Sequence, residues 1–208
     1  SIYDFVYDNN GKLIKAIKSN TGSSDSEITN LYRNSSGFVT RTIYYQTNYP
    51  LYEIADFIVN SSGVYSSCQK TVTENGTSTT YNTNFTNIGN RITKVETYKS
   101  NGIFAGKYIF TYDVLGNCIK AERFNEVGNL MFSNNYAYDS KNNPIELNND
   151  QFFIQGLFYF NTSGPNNMIS YGYDLNNPDV SVTYTYNSFG YPVSATVVSN
   201  INGPHIEN

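Results

Sequence analysis

The chain has 208 residues, a net charge of −4, 14% charged residues, 20 tyrosines, 13 phenylalanines and no tryptophan. That length accommodates one β-domain or two small ones. The 13 basic residues are too scattered for a nucleic-acid stripe, no stretch approaches the ~20 apolar residues of a membrane helix, and the aromatics supply burial despite the low charge.

In chain order, the first unit reads FVYDNNGKLIKAI, from Phe5 to Ile17. Asp8 is placed to accept backbone N–H groups inside the turn, and Gly11 suits the left-handed residue of a short hairpin loop with a bulge. The same punctuation returns at Gly37, Gly63, Gly89 and Gly116, at intervals of 26 or 27 residues. Asn142 then stands in the glycine's place, and Gly164 and Gly190 follow. Asp113, Asp139 and Asn187 occupy the position of Asp8 in their units. About eight hairpin units of one kind are therefore expected, each packing on its neighbours.

Between these turns lies a second, more varied set: Gly22, Asn48 with Pro50, Gly76, Gly102, Gly128, Asn148 with Asn149, Asn176 with Pro178, and Gly203. Aromatic or apolar pairs precede the first set by four and six residues, as in Phe5 and Tyr7, Phe57 and Val59, Phe110 and Tyr112, Tyr136 and Tyr138, Phe158 and Phe160, Tyr184 and Tyr186. Ile14, Ile92, Ile119, Ile145 and Val193 follow the turn residue by three, with mostly polar residues next. This alternation predicts half-buried antiparallel strands. The expected fold is all-β: an antiparallel meander of about 15 or more strands, forming one strongly curved, partly barrel-like sheet. One domain is expected over 1–199, with a tail over 200–208. A membrane barrel is the rival topology, but neither face of the strand from Lys12 forms a clean lipid band.

The run Y-D-x-x-G followed by apolar residues resembles the YD repeat of RHS-type proteins. Tyr7-Asp8 with Gly11 and Tyr112-Asp113 with Gly116 match it outright; Tyr138-Asp139 has Asn142 for glycine, and Tyr186-Asn187 with Gly190 has asparagine for aspartate. Lys12, Asn117 and Tyr191 stand where that family often has arginine. The resemblance implies a hairpin strip that spirals into a shell, which in large relatives encloses a toxic cargo domain; this chain is short for that, and no cargo domain is expected. The chain is also similar to small YD-repeat proteins, often lipoproteins, of Bacteroidetes cell envelopes. That similarity implies an envelope or secreted location, with a lipid anchor upstream.

Few residues point to chemistry. The aspartates of the turns read as capping groups rather than a calcium loop, which needs oxygens at a spacing absent here. Glu122, Glu126 and Glu146 are the carboxylates weighed for a glycosidase pair. His205, the one histidine, lies in the tail, so no triad is expected, and neither a metal site nor a cofactor. Cys68 and Cys118 fall at offsets of different parity from their glycines, predicting opposite sheet faces, a separation of about 19 Å and free thiols. The sequons at Asn34, Asn60, Asn75, Asn84 and Asn161 match formally; three of them are turn positions. Tyr44, Tyr45, Tyr49 and Tyr52 cluster in one hairpin and Tyr171 and Tyr173 in another; they read either as packing or as an aromatic platform. The functional expectation is a non-catalytic envelope or secreted binding or scaffold module contacting a glycan or protein through these tyrosines. Its alternatives are a shell holding an apolar ligand or peptide and a carboxylate-based hydrolase.

Overall fold

The computed structural model describes residues 2–19, 22, 24–89, 91–143 and 164–200. Among these, fourteen strands form one sheet. The first seven are β1 (Ile2–Tyr7), β2 (Leu13–Ser19), β3 (Ser26–Arg33), β4 (Val39–Gln46), β5 (Leu51–Val59), β6 (Tyr65–Glu74) and β7 (Thr77–Ile88). The rest are β8 (Arg91–Lys99), β9 (Phe104–Tyr112), β10 (Cys118–Phe124), β11 (Leu130–Asn142), β12 (Asn166–Gly172), β13 (Val180–Tyr186) and β14 (Pro192–Ser199). Every strand pairs with the next in the chain, antiparallel throughout.

The expected strongly curved, partly barrel-like sheet does not form. The sheet is open and lacks that strong curl: β1 and β14 are its two edges, and no described pairing joins them. Closure would require β14 to bury an inner face beside β1, yet every residue of β14 after Pro192 is exposed. Ile145, Phe158, Phe160, Asn148, Asn149, Asn161, Gly203, His205 and Glu146 lie outside the described residues.

The turns explain the meander. The Asp8 carboxylate accepts the N–H groups of Asn10 (2.9 Å) and Lys12 (2.8 Å). Asn34, Asn60, Asp113 and Asn187 do the same in their own hairpins. Gly11, Gly37, Gly63, Gly89, Gly116 and Gly190 all have positive φ, between 60° and 101°, a conformation that costs a side chain energy. Two expected turn residues behave otherwise. Asn142 ends β11, paired with Asn166, and is not among the positive-φ residues. Gly164 is buried without positive φ; a Cβ there would lie 2.4 Å from Asn117 Oδ1, so close approach rather than backbone hand demands glycine.

The buried face also departs from expectation. Residues two and five after the turn glycine are buried: Leu13 and Ala16, Val39 and Thr42, Tyr65 and Cys68, Cys118 and Ala121. Ile14, Ile119 and Val193 are at least a third exposed. The cause is a bulge after each of these turns. Tyr7 faces Leu13 while Val6 faces Lys15, so Ile14 is an extra residue in β2. The same shift recurs at Thr40, Ser66, Thr93, Ile119 and Val193. One extra residue reverses the alternation. Cys68 and Cys118 therefore share one face and one apolar cluster, contrary to the parity argument, and both are free thiols. That cluster runs from β2 to β11 and includes Phe85, Val95, Phe110 and Tyr136.

Candidate functional site

Strand register sets the composition of the buried face in rows. Thr29 of β3 faces Tyr44 of β4, which faces Glu53 of β5. In the next row Thr42 faces Ala55, which faces Lys70 of β6 and then Tyr81 of β7. Further along lie Phe57, Cys68, Thr83, Thr97 and Gly106. Then come Phe85, Val95, Tyr108 and Arg123. The face is thus polar toward the second set of turns and apolar toward the first.

These rows line a cavity of about 560 Å³, within the ~300–1,000 Å³ of small-ligand sites. Asn125, Glu126, Val127 and Met131, from the β10–β11 hairpin, supply one wall. Gly106 makes this wall fit: its φ is +142° and a Cβ would stand 2.8 Å from the carbonyl oxygen of Phe124.

The polar groups fall into two kinds. Some are already engaged. The Tyr44 hydroxyl accepts from Gln46 Nε2 at 2.8 Å and lies 3.4 Å from Glu27; burial, above all, raises its pKa. Glu53, 8% exposed, sits 3.4 Å from Lys70 Nζ. Thr83 and Thr97 share a hydrogen bond of 3.2 Å. Others are free. Thr29 and Thr42 are 3% and 8% exposed, line the cavity, and their hydroxyls have no partner among the described residues. Arg123 at the rim has only the Tyr108 ring, 5.8 Å from its guanidinium carbon.

The structure disperses the six expected binding tyrosines. Tyr44 lines the cavity. Tyr45 is half-buried on the other face, opposite Tyr52. Tyr49 is exposed and donates to Glu74 at 2.7 Å. Tyr171 packs on Tyr136 with ring centroids 6.1 Å apart, and Tyr173 is exposed. Of the candidate glutamates, Glu126 lines the cavity and pairs with Lys99 at 3.8 Å, whereas Glu122 pairs with Lys120 at 2.8 Å. The turn carboxylates serve the backbone: Asp113 also holds Asn117 Nδ2 at 2.8 Å, and Asp139 accepts from Lys141 N, Asn167 and the Tyr186 hydroxyl. Among the described residues no group of three or more His, Cys, Asp or Glu could hold a metal ion, and no helix is long and apolar enough to cross a membrane.

Sequence reasoning missed Thr29, Thr42, Glu53, Lys70, Tyr81 and Arg123. The signal was polar residues at inward positions near the second set of turns, legible only once the bulges fix which positions face inward.

No family model matches the chain, and no curated protein matches it. Among solved structures it is similar to a porin-like protein from Bacteroides uniformis, with a TM-score of 0.58 and 13% identity, over 95% of this chain and 82% of that one. The likeness is one of fold: an all-β, antiparallel, many-stranded sheet.

Proposed function

We propose that the chain is a YD-type hairpin-repeat domain over 1–199 that acts as a non-catalytic binding module of the cell envelope or secreted space, with a glycan as its ligand. The observation that carries this reading is the 560 Å³ cavity, where aromatic faces stand beside the unpartnered hydroxyls of Thr29 and Thr42. A sugar offers an apolar ring face and many hydroxyls, and so matches both. An apolar ligand would leave the Thr29 and Thr42 hydroxyls desolvated without compensation. The fold likeness to a protein described as porin-like supports the location. Of the six tyrosines singled out in the sequence, Tyr44 belongs to this site.

A glycan array with the purified chain tests the reading. The expected result is a defined saccharide bound by the native protein and lost when Thr97→Tyr or Ala55→Phe fills the cavity, with melting temperature verifying the fold. Absence of any bound saccharide, or binding unchanged in both folded variants, would overturn it.

A further inference from the structure

Resting on that reading, we infer that the ligand is an acidic saccharide whose carboxylate is received by Arg123. The chain is net negative, at −4, yet its cavity carries more positive than negative groups: Lys70, Lys107 and Arg123 against Glu53 and Glu126. Both carboxylates are already matched, Glu53 by Lys70 and Glu126 by Lys99. Arg123 is not. Register places it in the inward row with Tyr108 and Val95, and among the described residues no carboxylate or carbonyl bonds to it. A surface arginine without a partner is ordinary; one at the rim of a cavity, held over a tyrosine ring, is presented to whatever enters. Its planar fork suits a carboxylate, donating to it through two parallel N–H bonds. The unpartnered hydroxyls of Thr29 and Thr42 lie on β3 and β4, several strands away from Arg123 on β10. The cavity therefore suits a ligand with an anionic end and a neutral, hydroxylated end, such as a short neutral oligosaccharide that ends in one uronic acid. Arg123, with Lys107 beside it over the Phe124 ring, also makes binding salt-sensitive, since exposed charge is screened over ~8–10 Å at ordinary ionic strength.

Calorimetric titration with a galactose oligosaccharide that ends in one galacturonic acid and with the neutral galactose oligosaccharide of equal length tests this. The native chain is expected to bind the acidic probe at least tenfold more tightly, with the preference shrinking in high salt. Arg123→Gln is expected to remove the preference while keeping the weaker, neutral-level affinity. Arg123→Lys, which keeps charge but loses the fork, should restore only part of it. Equal affinity for the two probes, or a preference that survives Arg123→Gln, overturns the inference and leaves the binding module standing. No binding of either probe by the folded native chain, coupled with an empty glycan array, overturns both.

Discussion

Tyr138 donates a hydrogen bond of 2.8 Å to the backbone carbonyl of Cys118, twenty residues earlier. Cys118 is the residue just before the bulge in β10, where the register shifts and a carbonyl leaves the ladder. The hairpin that follows supplies the missing donor. The arrangement recurs: Arg33 Nη2 reaches Leu13 O at 2.8 Å, Asn87 Nδ2 reaches Tyr65 O at 2.8 Å, and Tyr112 reaches Ile92 O at 2.9 Å. Each acceptor stands at a bulge, and each donor stands opposite the equivalent bulge of its own hairpin. In the Tyr112-Asp113 and Tyr138-Asp139 pairs the tyrosine is thus a strap between successive hairpins, a place taken by Arg33 and Asn87 in two others.

Tyr138→Phe should lower stability by about 1 kcal/mol, the net worth of one such bond. Tyr7→Phe should change nothing comparable, because Tyr7 is 46% exposed and its hydroxyl bonds no carbonyl among the described residues. Urea denaturation would show a lower midpoint for Tyr138→Phe at unchanged slope. Equal midpoints for both variants would remove the strap from the account.

Gly164→Ala should destabilise the β11–β12 region by roughly 1–3 kcal/mol, the usual range for an overpacked site. The added Cβ would meet Asn117 Oδ1 at 2.4 Å and its Cα at 2.9 Å. Asn117 cannot retreat cheaply: it is 1% exposed, with its Nδ2 bonded to Asp113 and to Asn166 at 3.0 Å. Hydrogen exchange on β11 and β12 reads the effect locally, and unchanged protection there would contradict the packing argument.

The repeated turns were legible because left-handed residues and side-chain acceptors are encoded within four or five consecutive residues. Asp8 with Gly11 and Asp113 with Gly116 show as much. The aromatic pairs ahead of the turns were legible too: Phe57, Phe110, Tyr136 and Tyr138 lie in or against the core. What failed was parity after the turn. Ile14 and Ile119 look like core residues in a simple alternation, yet each is the extra residue of a bulge. Openness was illegible for a different reason, since closure depends on how β14 meets β1, at opposite ends of the sequence. The cavity gathers Thr29 and Met131, and no local pattern relates them.

Acid should find a weak point in the strapped turns. Burial alone would raise the pKa of Asp113 and Asp139, but hydrogen bonds outweigh it and hold both below the ordinary range. For Asp139 the donors are the Tyr186 hydroxyl, Lys141 N–H and Asn167; for Asp113 they are Asn117 and the amides of Asn117, Gly116 and Leu115. A carboxyl more acidic in the fold than in the unfolded chain stabilises the fold above its unfolded pKa, about 4. That contribution drains away as pH falls from there through the folded value. The melting temperature should drop below about pH 4 more steeply in the native chain than in Asp139→Asn. Parallel curves would mean that Asp139 is not among the groups responsible.

The two thiols should be silent in the fold despite the cavity beside one of them. Cys68 lines the cavity wall and Cys118 is fully buried. Burial pushes both thiols up to about 12. For Cys68 the nearby Lys70 works in the opposite direction without prevailing. The nucleophile is the thiolate, so at neutral pH almost none is present even where a small reagent can enter. Iodoacetamide at pH 8 should therefore modify the native chain slowly at both positions, and both quickly once urea unfolds it without reductant. Rapid labelling of Cys68 in the native state would show that water and protein dipoles solvate the cavity wall better than its neighbours Phe57 and Phe85 imply. That outcome would also weaken the apolar half of the proposed sugar site, since the same wall is meant to meet the ring face of the ligand.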